Sequence, residues 1–228
     1  MCGRFVSATD ADGFTRFLVV DERQAPELGP SYNVAPSQQV YAVAEHDHRR
    51  HLVTFKWGLV PGWAKDPKIG NRLINARSET AADKNAFRES FRARRCLIPT
   101  DGFYEWQRHD DGSKTPHLIR RADGAPLVLA GLWSVWRDPH DPGAEPLRTC
   151  TILTTPANEL VAPLHDRMPA ILEPEDWRAW LDRGLEDVSA LSGLLAPADS
   201  RLLDGHPVSS EVNNPRNDHP GLIEPVSA

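Results

Sequence analysis

No apolar run in the 228 residues approaches the ~20 that span a bilayer, and the N-terminus lacks the basic-then-apolar pattern of a secretory signal. The expectation is a cytoplasmic protein with no membrane partner. Cysteine is scarce: Cys2, Cys96 and Cys150 are odd in number and form no C-x-x-C pair, which excludes a disulfide framework and a zinc ribbon. The 9 histidines are scattered. His46, His48 and His51 share a charged turn without a cysteine partner or a carboxylate–histidine framework, so no metal is expected. Glycine-rich phosphate loops and a G-x-S-x-G elbow are absent, and no cofactor is expected either.

What is present is ordinary for a globular chain: 40% hydrophobic and 25% charged residues, with length enough to bury a substantial core. The 20 prolines are spread evenly and mark no linker, and no repeat is visible. Residues 1–228 therefore read as one domain, expected to be a monomer. Net charge is −6, which argues weakly against a general nucleic-acid binder. Its distribution reverses that impression. Between Lys65 and Arg95 nine basic residues face four acidic ones, a local +5 that leaves −11 for everything else. A chain so polarised repels a polyanion over most of its surface and holds it at one patch.

Residues 9–20 read as a short helix capped by Thr9, with Phe14, Phe17 and Leu18 on its apolar face. Residues 51–60 alternate as a strand with Val53, Phe55 and Trp57 on one side. Residues 80–95 form the strongest predicted helix, capped by Thr80, with Phe87 and Phe91 buried one turn apart. Lys84, Arg88, Arg92 and Arg95 share its other face, either as a solvated surface or as a polyanion stripe. Short strands dominate thereafter, at 96–99, 103–107, 117–121, 127–136 and 149–155, with a hairpin turn at 122–125. Helices are expected again at 175–181 and 188–195. Cys96 and Cys150 fall in apolar strands and read as core thiols. The fold class is α+β: a curved, mostly antiparallel sheet with a barrel-like core and flanking helices.

Chemistry concentrates at position two. The chain opens Met1-Cys2-Gly3-Arg4-Phe5, and removal of Met1 ahead of a small residue would leave Cys2 with a free α-amine beside its thiol. Their ordinary pKa values are about 8 and about 8.5, so both nucleophiles are partly available near neutrality. An amine condenses with an aldehyde to an imine, and the neighbouring thiol closes onto it as a five-membered thiazolidine. An internal cysteine cannot do this. The alternative is an ordinary cysteine that happens to stand second.

Four further segments carry candidate groups. In Asn75-Ala76-Arg77-Ser78-Glu79, Asn75 offers an amide to orient a hydroxyl and Arg77 a fork suited to phosphate; a strand end and helix cap is the plainer alternative. In Asp101-Gly102-Phe103-Tyr104-Glu105-Trp106, a carboxylate among aromatics is desolvated and can carry a proton near neutrality, unless an arginine pairs with it. In Pro163-Leu164-His165-Asp166-Arg167-Met168-Pro169, His165 titrates near neutral pH and could protonate a sugar ring oxygen, or serve as a structural histidine. In the 56–63 turn, Trp63 could stack on a base, whereas Trp57 continues the buried alternation.

Together these segments resemble the SRAP family of abasic-site processing proteins, first named SOS response-associated peptidases. The resemblance spans nearly the whole chain and adds Tyr32-Asn33-Val34-Ala35-Pro36 and His206-Pro207-Val208-Ser209 to the motifs above. It implies a single SRAP-like domain acting on abasic sites in single-stranded DNA, at the nucleoid and replication fork. Cys2 would form a covalent thiazolidine crosslink that shields the lesion. Glu105 would be the acid/base group, Asn75 would position the opened sugar, and His165 would assist ring opening. The resemblance also implies DNA contacts from Arg4, Asn33, Trp63, Arg77 and Arg167. No second aromatic follows Trp63 within residues 64–71.

Two other classes fit parts of the sequence. An N-terminal-nucleophile amidohydrolase, or a peptidase removing Met1 in cis, also begins at a second-position cysteine, as class II glutamine amidotransferases do. The basic patch and the Glu105 and His165 segments argue against it. A non-catalytic single-strand binder would use the basic stripe and Trp63 and leave Cys2 idle.

Overall fold

The computed structural model of the chain describes residues 2–226. Along it run β1 (Phe5–Ser7), α1 (Ala11–Phe17), β2 (Glu22–Arg23), β3 (Ser31–Val34), β4 (Gln39–His46) and β5 (Arg49–Trp57). A helical turn (Pro67–Arg72) precedes β6 (Asn75–Arg77), α2 (Ser78–Ala81), α3 (Arg88–Ala93), β7 (Arg95–Thr100), β8 (Gly102–Arg108) and β9 (Lys114–Arg121). Then come β10 (Leu127–Trp136), β11 (Leu147–Pro156), β12 (Arg167–Pro169), α4 (Pro174–Leu181), α5 (Val188–Gly193) and β13 (Leu203–Pro207).

Strands β11, β10, β7, β4 and β5 pair in that order, and β5 returns to β11 in parallel, closing a ring. The other pairings along the ring are antiparallel, so the curved, barrel-like α+β reading holds. Period-two alternation sorts the side chains of the ring. Val40, Phe55, Ile98, Leu129 and Ile152 join one core with Cys2, Phe5 and Phe103 of a second sheet. Tyr41, Leu52, Leu97, Val128 and Leu153 face the opposite way, against Phe14, Trp177, Trp180 and Leu191 of α1, α4 and α5. The second sheet has the order β13-β9-β8-β1-β3 and carries Glu105 on β8. Cys96 and Cys150 are fully buried free thiols, as their strand positions predict.

Two helices depart from expectation. The first is capped by Asp10, whose carboxylate accepts from Gly13 N at 2.7 Å, because the expected cap, Thr9, gives its hydroxyl to Asp101 at 2.5 Å. The predicted 80–95 helix is two short ones, α2 and α3, separated by turns at 82–87, and Thr80 is no cap. Arg95, just beyond α3, departs from the expected stripe as well. Its guanidinium, buried and turned inward, donates to carbonyls at the ends of α3 (Phe91, Arg92) and α4 (Trp180, Asp182), satisfying acceptors that a helix leaves open. The four-residue basic stripe therefore does not exist as one face. No helix among the described residues is long and apolar enough to cross a membrane.

Candidate functional site

The segment between β5 and β6 is shaped by backbone contact. Gly58 has φ +121°, and a Cβ on it would lie 2.7 Å from the Gly70 carbonyl oxygen; a Cβ on Gly70 would meet the Gly58 oxygen at 2.6 Å. Only glycine fits either position. The crossing is fastened by Trp57 Nε1 donating to Ile74 O at 2.8 Å and by Val60 N donating to Thr149 Oγ1 at 2.8 Å. It brings Asn75 onto the edge of β11, opposite Ile152. It also sends Trp63 outward. Trp57 is 1% exposed and packs 5.0 Å from Phe5, whereas Trp63 is 57% exposed above Lys65, Lys68 and Arg72. Truncating a buried tryptophan costs roughly 3–5 kcal/mol. Trp57 is thus held by the fold, and Trp63 is open to a partner.

Cys2 is buried where β1, β6 and β8 converge. Asn75 Nδ2 donates to the Cys2 carbonyl at 2.8 Å, and Sγ lies 4.0 Å from the Arg4 carbonyl oxygen. The other amide atom, Asn75 Oδ1, is buried without a hydrogen-bond partner among the described residues. An unpaired buried acceptor costs about 1–3 kcal/mol, and a substrate hydroxyl would relieve it. Burial raises the Cys2 thiol far above its ordinary value, and the charge of Glu105 raises it further, so the resting thiol is protonated. The expected removal of Met1 concerns a residue outside those described.

Glu105 is 2% exposed, and burial pushes its carboxyl up to about 7, with the Asp166 charge also raising it. It can therefore give or take a proton at neutral pH. The shift has a consequence for stability. Folded Glu105 holds a proton up to about pH 7 that the unfolded chain releases near 4.5, so this group's contribution falls as pH rises between those values and is constant above them. Glu105→Gln is expected to be more stable than wild type by about 3 kcal/mol at pH 8 and nearly equal to it below pH 4.5. Thermal unfolding at several pH values checks this. A difference that does not grow with pH would mean that Glu105 is ionised in the fold throughout.

His165 lies in the loop before β12, half-buried, and burial lowers its pKa. Its Nδ1 accepts from Arg167 N at 3.0 Å and lies 2.8 Å from Asp166 Oδ1. The structure thus brings Cys2, Asn75, Glu105 and the His165 loop near one another.

The five expected strand contacts separate. Arg77 and Trp63 are exposed. Arg4, Asn33 and Arg167 make hydrogen bonds within the protein. Arg4 Nη1 donates to Asn33 Oδ1 at 2.7 Å and to Val212 O at 2.8 Å. Asn33, 1% exposed, donates from Nδ2 to the carbonyls of Val212, Asn214 and Asn217 and so fastens the C-terminal segment. Arg167 grips both oxygens of Glu79 and also the Thr154 carbonyl, which holds Glu79 below its usual range. Sequence reasoning missed Asp101, whose carboxylate takes the N–H groups of Ala8 and Thr9 and fixes the path leaving β1. Its place in an acidic–glycine pair before a strand was the available signal. Among the described residues no group of three or more His, Cys, Asp or Glu is placed to hold a metal ion.

Abasic site processing protein YoqW of Bacillus subtilis is 42% identical over 225 residues, covering 98% of this chain and 99% of its own. Abasic site processing protein YedK of Escherichia coli is 36% identical over 233 residues, covering 99% and 100%. Abasic site processing protein HMCES of Gallus gallus is 32% identical over 267 residues, covering 99% of this chain and 78% of its own. A crystal structure of a protein from Bacteroides thetaiotaomicron superposes with a TM-score of 0.86 at 27% identity, covering 99% of this chain and 100% of that one. The family model described as SOS response associated peptidase (SRAP) matches residues 1–215, and the chain belongs to that family.

Proposed function

We propose that this protein captures abasic sites in single-stranded DNA through the α-amine and thiol of Cys2, freed when the Met1–Cys2 peptide bond is hydrolysed. One observation carries the reading: a buried carboxyl titrating at about 7, Glu105, sits close enough to raise the Cys2 thiol. The names of the relatives supply the substrate class.

An abasic sugar opens to an aldehyde at C1′. The Cys2 amine adds to that carbon, and loss of one water gives the imine. Protonated Glu105 delivers the proton that the departing hydroxyl needs. The carboxylate so formed takes the thiol proton as Sγ attacks the imine carbon, and the nitrogen ends as a secondary amine in the ring. Atoms balance with one water released. Asn75 Oδ1 accepts a hydroxyl of the opened sugar, and His165 protonates the ring oxygen as the sugar opens. The Cys2 thiol or Glu105 would serve hydrolysis of the Met1–Cys2 bond, the reaction behind the family's peptidase label.

Arg77 and Trp63 meet the flanking strand, while Arg4 and Asn33 hold the wall of the site and Arg167 reaches phosphate by exchanging Glu79 for it. A denaturing gel of protein mixed with abasic or intact single strands tests the reading. A heat-resistant band with the abasic strand alone is expected, and its absence would refute covalent capture. Arg77→Ala should weaken binding to abasic and intact strands alike and flatten log affinity against log salt by about 0.7. Parallel lines for Arg77→Ala and wild type would remove Arg77 from the phosphate path.

A further inference from the structure

We infer that Asp166 is a positioning residue of this site: its carboxylate competes with the Arg167 backbone N–H for one ring nitrogen of His165 and thereby sets where the imidazole carries its proton. The inference rests on the role proposed above for His165. It begins from a geometric conflict. Nδ1 of His165 accepts the Arg167 N–H at 3.0 Å while Asp166 Oδ1 lies 2.8 Å away. A ring nitrogen holds either a lone pair or a proton. With a lone pair on Nδ1, the Arg167 N–H is satisfied but two acceptors touch. With a proton on Nδ1, Asp166 is satisfied and the Arg167 N–H loses its acceptor. No tautomer serves both, so the charge on Asp166 decides the balance.

Asp166 has little structural reason to stand there. Its side chain is 81% exposed, and an exposed ion pair contributes about 0–1 kcal/mol to stability. Its value lies in the field it exerts. Among the described residues, burial first and then Arg108 on β8 favour neutral His165, while Asp166 and the Arg167 backbone oppose them. When His165 is protonated, the imidazolium carries protons on both nitrogens. Nε2 gives its proton to the sugar ring oxygen as the ring opens, and Glu105 as carboxylate takes the proton from the C1′ hydroxyl. Histidine is left neutral with its remaining proton on Nδ1, bonded to Asp166. One proton is delivered and one removed, so the opening is balanced.

The charge of Asp166 also reaches Glu105, where it disfavours the carboxylate. Removing its charge therefore moves both titrations the same way: His165 loses an attraction and Glu105 loses a repulsion, and both fall. A side chain that only packed would lower the rate equally at every pH.

The test uses Asp166→Asn, which keeps the shape and drops the charge, and Asp166→Glu, which restores the charge. His165 is followed by its ring-proton resonances in DNA-free protein, assigned with His165→Gln. Adduct formation with abasic single strands is timed across pH 5–9. Asp166→Asn is expected to lower the titration of His165, and to shift the whole rate profile toward acid. At pH 8 the rate should fall about three- to tenfold, recovering at lower pH, and Asp166→Glu should restore part of it. An unchanged His165 titration, or an equal loss of rate at all pH values, would overturn the inference. If wild type forms no adduct, the proposed function fails, and the DNA-free titration still decides whether Asp166 governs His165.

Discussion

Cys2→Ala is expected to abolish the heat-stable adduct with abasic single-stranded DNA while leaving the protein folded. Alanine second in the chain still permits removal of Met1, so the variant keeps its α-amine and can condense with the aldehyde. It has no thiol to close the ring. An open imine is reversed by water, and denaturation removes the pocket that protects it. The variant's adduct should therefore appear only when a hydride reductant traps it, whereas wild type needs none. The side chain is fully buried in the core shared by both sheets, but replacing one sulfur with hydrogen is a small change, and circular dichroism will establish that the variant folds. A heat-stable adduct from Cys2→Ala equal to that of wild type would dispose of the thiazolidine.

Glu105→Gln should slow adduct formation by about 10²–10⁴, the usual contribution of a general acid–base group. Affinity for intact single strands should not change, because a carboxyl 2% exposed on β8 touches no phosphate. The same variant is expected to be the more stable protein at pH 8, for the reason given with the site. Loss of rate together with gain of stability separates a group held in an unfavourable state for chemistry from one that supports the fold. A variant with normal rate and normal stability would leave Glu105 without a role in either.

Much of the fold was legible in local pattern. Alternation distinguished Trp57 from Trp63 and placed Cys96 and Cys150 in the core, because period-two burial is written into a strand's own residues. What failed depended on partners far along the chain. Arg95 looked like the last member of a helical stripe, yet the carbonyls that draw it inward belong to residues 85 and 87 positions later. Nor does local pattern show that Arg4 and Asn33 hydrogen-bond the carbonyl of Val212, far along the chain. The 80–95 helix had the right apolar spacing, and its apolar residues Phe87 and Phe91 are indeed buried, but spacing alone carries no information about where an arginine must turn.

The site was legible as chemistry and not as geometry. A second-position cysteine, an acid among aromatics and a neutral-range histidine announced themselves by type. That Asn75 would hold the Cys2 carbonyl, and that Asp166 would press on His165, follows only from the Gly58–Gly70 crossing and from the loop before β12. Asp166 has an unremarkable neighbourhood in sequence, which is why residue type alone passed over it.

The most direct test is the intact mass of the purified protein, alone and after incubation with an abasic oligonucleotide without reductant. The account predicts a chain lacking Met1, and an adduct whose mass equals that chain plus the oligonucleotide less one water. An adduct that retains Met1, or a DNA-treated sample whose mass is that of the protein alone, would contradict capture through the amine and thiol of Cys2.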